Sequence, residues 1–167
     1  MKYLKTYEVN SLTKQLSKRL FDYSGKKSAL ETIKNLIKSG ADVNYQDILG
    51  DTPLINAAKS FFLSGIKVLL ENGADVNQIN KSYENALIVI SQYPRYTIDK
   101  NINIIHKIID LFIEYDINLN QRSIGRGYVH NYSALDYSDE IALYIMEKHP
   151  EKYEEYLMKN NTEKYNL

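Results

Sequence analysis

Apolar residues along this chain fall into short clusters with helical spacing, separated by polar stretches rich in Asn, Asp and Gly. Between Ser11 and Tyr23, Leu12, Leu16 and Leu20 share one face while Lys14, Lys18 and Arg19 lie outside, which predicts a helix. Ile66, Leu69 and Leu70 stand at i, i+3 and i+4 and predict another, closed by Gly73 where a left-handed residue is needed. Thr52-Pro53 reads as a helix start: the hydroxyl caps free amides, and proline has no N–H to lose in a first turn. Pro150 opens a last helix with Tyr153, Tyr156 and Leu157 on one face, and residues 160–167 read as a frayed polar tail.

These clusters repeat. Gly40-Ala41-Asp42-Val43-Asn44 recurs unchanged as Gly73-Ala74-Asp75-Val76-Asn77, a period of 33 residues. The surroundings hold the same register, with Ile33, Leu36 and Ile37 projecting onto Ile66, Leu69 and Leu70. A degraded third ending, Asp116-Ile117-Asn118-Leu119-Asn120, comes about ten residues late, and the surplus is placed at Gln92 to Asn101. Each unit therefore predicts helix, link, helix and a turn-rich segment.

Asp47-Ile48-Leu49-Gly50-Asp51-Thr52-Pro53-Leu54, Ala57-Ala58, Val68-Leu69-Leu70 and Gly73 to Asn77 together resemble one nearly complete ankyrin repeat. The resemblance implies an all-α solenoid of about four helix-turn-helix units with short hairpin-like turns. Expected units are about 11–44, 45–77, 78–120 and 121–148, with a capping helix at 150–160, all in a single domain of residues 1–160. Several positions depart from the family pattern. Ile55 replaces the usual His, Phe61 the glycine between helices, Asn85-Ala86-Leu87 the Thr-Pro-Leu of the third unit, and Asp116 its terminal glycine. The fourth unit is compressed, since Ser133 to Ser138 leads almost directly into Glu140 to Met146.

Composition narrows the function without naming it. Lys plus Arg is 21 and Asp plus Glu is 21, so no overall field draws a polyanion, and a nucleic-acid partner is not expected. The absence of cysteine removes disulfides, thiolate catalysis and Cys-based zinc sites, and fits a cytoplasmic protein. Lys2 and Lys5 are followed by no signal-like apolar run, and no stretch approaches membrane-span length, so a soluble chain without a membrane partner is expected. His106, His130 and His149 have no second His at metal-ligand spacing, and Gly125-Arg126-Gly127 lacks the Lys-Ser/Thr of a phosphate loop. Asp139-Glu140 and Glu154-Glu155 are sequence neighbours that diverge on a helix. No catalytic set, metal site or cofactor is expected. The chain reads as a binding module and not as an enzyme.

In a stacked-repeat chain the residues free to bind are those not used in stacking. The resemblance implies the turn tips and the exposed side of the first helices. Candidate partner contacts are Tyr45, Ile48, Leu49 and Asp51 at the first tip, and Gln78, Lys81 and Tyr83 at the second. The surplus at 92–101, expected as an inserted loop outside the repeat core, adds Tyr93 and Tyr96, and a longer third tip adds Arg122, Tyr128 and Tyr132. Tyr and Arg are enriched at interface hot spots. The expected partner is another protein, bound by a chain that is monomeric when free; inhibitor of a toxin, host-directed effector and adaptor are the open roles. Leu54 and Leu69 are expected to be buried, and Lys59 to be a dispensable surface residue.

Overall fold

The structure, a computed structural model, describes residues 14–15, 17–124 and 131–165. Leu12, Leu16, Gly125-Arg126-Gly127, Tyr128 and His130 therefore lie outside the described residues. Helix α1 covers residues 17–24, and a single 3-10 turn at Lys27–Ala29 leads into α2, Leu30–Lys38. Then come α3 (Pro53–Lys59), α4 (Leu63–Glu71), α5 (Ala86–Ser91) and α6 (Arg95–Glu114). A two-residue antiparallel ladder, β1 (Ser123–Ile124) with β2 (Asn131–Tyr132), precedes α7 (Ala134–Tyr137), α8 (Asp139–Lys148) and α9 (Pro150–Tyr165).

Helix starts follow the predicted chemistry. Thr52 Oγ1 accepts from the Ile55 amide at 3.1 Å, with Pro53 in the first turn. Asn85 does the same for Ile88 at 3.0 Å, so Asn-Ala-Leu replaces Thr-Pro-Leu without losing the cap. Ser133 and Asp136 close a capping box on the short α7.

The helices pack as pairs, α3 on α4, α5 on α6 and α7 on α8, with α3, α5 and α7 forming one row and α2, α4 and α6 another. The core runs through both rows: Ile33, Leu54, Ile66, Leu69, Leu87, Ile105 and Phe112 are all buried, as expected for Leu54 and Leu69. Each such side chain contributes roughly 1.5–3 kcal/mol by leaving water.

Two expectations are corrected. The surplus at 92–101 forms no free loop; most of it lengthens α6, which has 20 residues against 9 in α4. Pro94 fixes the entry, and apolar Ile98 and Ile102 extend the helical stripe already set by Ile105 and Ile109. The C-terminal helix does not end near residue 160 but continues to Tyr165.

Candidate functional site

The turn tips are held by side-chain bonds that repeat from unit to unit. Asp47 Oδ1 accepts from the amides of Leu49 (2.8 Å) and Asp51 (2.9 Å), and the Gly50 amide donates to the Asp47 carbonyl at 3.1 Å. Asn80 does the same one unit on, accepting from Ser82 (2.9 Å) and Glu84 (3.0 Å). The tips are also tied to each other. Lys81 donates its amide to the Leu49 carbonyl (3.0 Å) and its ammonium to the Ile48 carbonyl (2.8 Å). Gln46 reaches the Ile79 carbonyl (2.9 Å), and Gln121 reaches that of Tyr83 (3.1 Å). Gly50 has φ +80°, and a Cβ there would lie 2.9 Å from the Lys81 nitrogen, so the approach of the two tips requires glycine.

On this pinned backbone Ile48 is 82 % exposed and Leu49 61 % exposed. Tyr83, 49 % exposed, occupies the position one period after Gly50 and has φ +62°. Lys81 and Tyr132 are also exposed, and Tyr45 is half-buried with its ring edge-on to Phe21. Ile48, Leu49, Lys81 and Tyr83 thus share two linked tips, and Gln121 ties the third turn, which carries Arg122 and Tyr132, to them.

Three of the other expected contacts have partners within the fold. Asp51 is buried, 5 % exposed; its carboxylate accepts from Asn80 Nδ2 (2.9 Å) and pairs with Lys59, so it joins two units. A buried carboxylate must find donors, and turn and helix supply both here. Tyr93 lies half-buried against Phe61, ring centroids 5.1 Å apart, and donates its hydroxyl to the Lys59 carbonyl at 2.7 Å. Arg122 donates to Asn160 Oδ1 and thereby holds α9. Gln78 is half-buried with its Oε1 enclosed and unpartnered. Tyr96, 74 % exposed, sits on the first turn of α6, apart from the tips in sequence and element. Tyr128 lies outside the described residues. Lys14, Lys18, Arg19, Lys26 and Lys27 are exposed just before, in and just after α1.

A titratable cluster joins α6 to α8 and the start of α9, which the separation of the histidines in sequence concealed. Asp110 Oδ1 accepts from the Tyr144 hydroxyl (2.8 Å) and lies 2.9 Å from His149 Nε2. His106 stacks on Tyr144, centroids 3.7 Å apart. Burial holds the His106 pKa below its ordinary value against the pull of Asp110 and Glu147. Burial, then the bond to Asp110, pushes that of Tyr144 up to about 12. An i, i+4 pair on α6 meeting an aromatic on α8 is the signal that was available in the sequence. Among the described residues no group of three or more His, Asp or Glu could hold a metal ion, and no helix is long and apolar enough to cross a membrane.

The sequence that forms these tips and helix pairs matches a family profile. The ankyrin-repeat profile (3 copies) matches residues 20–123, from α1 to β1. No curated protein matches the chain. Ankyrin repeats generally serve as protein–protein interaction modules and are typically non-enzymatic. With the profile covering well over half of the sequence, the chain belongs to the ankyrin-repeat family.

Proposed function

We propose that this chain binds a protein partner through the turn tips, on a surface centred on Ile48, Leu49 and Tyr83, with Lys81 and Tyr132 beside them. The observation that carries the reading is an apolar pair, Ile48 and Leu49, exposed on a tip whose backbone is pinned at nearly every polar group. A rigid support spares the cost of ordering the backbone when a partner covers exposed apolar side chains. Tyr83 supports the same reading. A bulky residue at positive φ costs about 1–2 kcal/mol, and here the side chain held at that cost faces solvent.

The partner's identity and the role of the complex follow from capture. The chain is used as bait in extracts of its native organism, beside Ile48→Asp and Tyr83→Ala baits of equal melting temperature. A protein retained by the wild type and lost by both variants is the expected result. Equal retention by all three baits would move the interface off the tips.

A further inference from the structure

The chain is neutral as a whole, but its charges are sorted along the stack. Residues 14–38, which span α1, the 3-10 turn and α2, hold seven Lys or Arg against two Asp or Glu. Residues 134–160, in α7, α8 and most of α9, hold seven Asp or Glu against three Lys. The helix rows run from α2 through α4 to α6 and from α3 through α5 to α7, so these two groups occupy opposite ends of the solenoid. A chain with no net charge therefore has a basic head and an acidic tail.

Neither end is neutralised locally. At the head Lys14 and Lys18 stand four apart, the spacing of one helix face, with Arg19 beside them, and Lys26, Lys27 and Lys38 are exposed as well. Among the described residues the head has one ion pair, Lys34 with Glu31. At the tail Asp139, Leu143 and Met146 follow one another at i, i+4 and i+7 on α8, and Glu151, Glu154 and Met158 at i, i+3 and i+7 on α9. All six are exposed, Leu143 by 58 % and Met158 by 65 %. Asp139, Glu151 and Glu154 are in no ion pair among the described residues. The terminal unit of a solenoid turns a polar face to water. Here each of the last two helices carries apolar side chains in line with unpaired carboxylates.

We propose that the tail of one copy of this chain binds the head of a second, α8 and α9 of the first against α1 and α2 of the next. Charge complementarity selects this occupant, because the unpaired carboxylates of the tail match the unpaired cations of the head. The apolar side chains fit the same occupant. Lys and Arg have long methylene stems that can lie over Leu143 and Met146 while their charged groups reach Asp139 and Glu154. Unlike faces meet, so the contact is heterologous and copies add in a row instead of closing as a pair. The chain expected to be monomeric when free is then so only when dilute. Ile48, Leu49 and Tyr83 lie on none of these helices, so the tip surface takes no part in the contact.

The test is sedimentation equilibrium of the full chain over a range of concentrations, read against 19.4 kDa for one copy. At low salt the average mass should rise with concentration without levelling at a dimer. At about 1 M salt, where charges are screened beyond about 3 Å, association should weaken at least tenfold. Lys18→Glu with Arg19→Glu reverses the head, and Glu151→Lys with Glu154→Lys reverses the tail. All four positions are exposed, so both chains keep the fold, which circular dichroism verifies. Either variant alone should associate at least tenfold more weakly than the wild type, whereas Ile48→Asp should leave association unchanged. Mixed together, the two reversed chains should associate again, because the unaltered tail of the first meets the unaltered head of the second. A single-copy mass at every concentration at low salt, full association by either variant alone, or no recovery in the mixture would overturn the proposal.

Discussion

Lys59 lies in the last turn of α3 with its side chain 38 % exposed, yet its ammonium pairs with the buried carboxylate of Asp51. Removing it leaves that charge with only the Asn80 amide as a side-chain donor. Lys59→Ala should therefore cost about 1–2 kcal/mol, reduced from the cost of a fully buried pair by the solvent around the lysine. Leu54→Ala should cost about 2–5 kcal/mol as a cavity in the core. Urea denaturation of both variants measures the two losses, and a Lys59→Ala loss below about 0.5 kcal/mol would show the pair to be screened. At the same scale, Asn77→Ala removes two bonds between units and should cost about 1 kcal/mol, whereas Asn120→Ala removes an unpartnered oxygen and should be close to neutral. Helical spacing and cap residues made the burial of Leu54 and the start of α3 legible in the sequence. The roles of Lys59 and Tyr93 were not, because Asp51 is sequestered by a turn from the next unit and Tyr93 bonds a backbone carbonyl 34 residues away. Backbone acceptors leave no mark in side-chain patterns.

Among the elements, α6 departs furthest from the repeat. Its extra length lets Arg95 reach Glu140 on α8 at 2.8 Å, so a segment that reads as an inserted loop is a strut between units. The period located the surplus, but whether surplus residues coil or extend a helix depends on the neighbours available to bury Ile98. The start of α9 was likewise visible in Pro150, while its packing against the third turn and α7 was not, since that depends on Asp116 and Ser133 in other units. The contact of α6 with α8 also carries a pH dependence. Asp110, Glu147 and Lys148 act on His106 while Tyr144 covers its ring, and burial leaves the neutral imidazole favoured in the folded chain. A histidine whose folded pKa is lowered contributes stability that is complete above its unfolded value, about 6.5, and is lost as pH falls through the folded value. The His106 ring protons should titrate with a midpoint below that value. His106→Phe, which keeps an aromatic against Tyr144, should lose less stability than the wild type between pH 7 and pH 5. Equal slopes would remove His106 as the source.

For the whole molecule the two rows of helices carry the apolar core, and the exposed side chains of the linked tips are left free of that task. Tyr83 is where the two roles separate. Its backbone conformation repeats that of Gly50, so glycine fits the position without the Cβ penalty of about 1–2 kcal/mol. Glycine gives back about 0.5–1 kcal/mol through the greater freedom of the unfolded chain. Tyr83→Gly should therefore leave stability unchanged or raise it by up to about 1 kcal/mol, because the ring is half-exposed and the carbonyl that Gln121 uses is retained. If the tips are the interface, the same substitution should weaken a captured partner by about 2 kcal/mol or more, the scale of an aromatic hot spot. Arg122→Ala serves as the contrast. It removes one of the ties between α9 and the third turn, the Lys152–Asp116 pair being another, so its effect on binding should come with a lowered melting temperature. Calorimetric titration and thermal melts on the two variants give four numbers. A stabilised Tyr83→Gly chain that binds as tightly as the wild type would show the strain at this tip to be unrelated to partner binding.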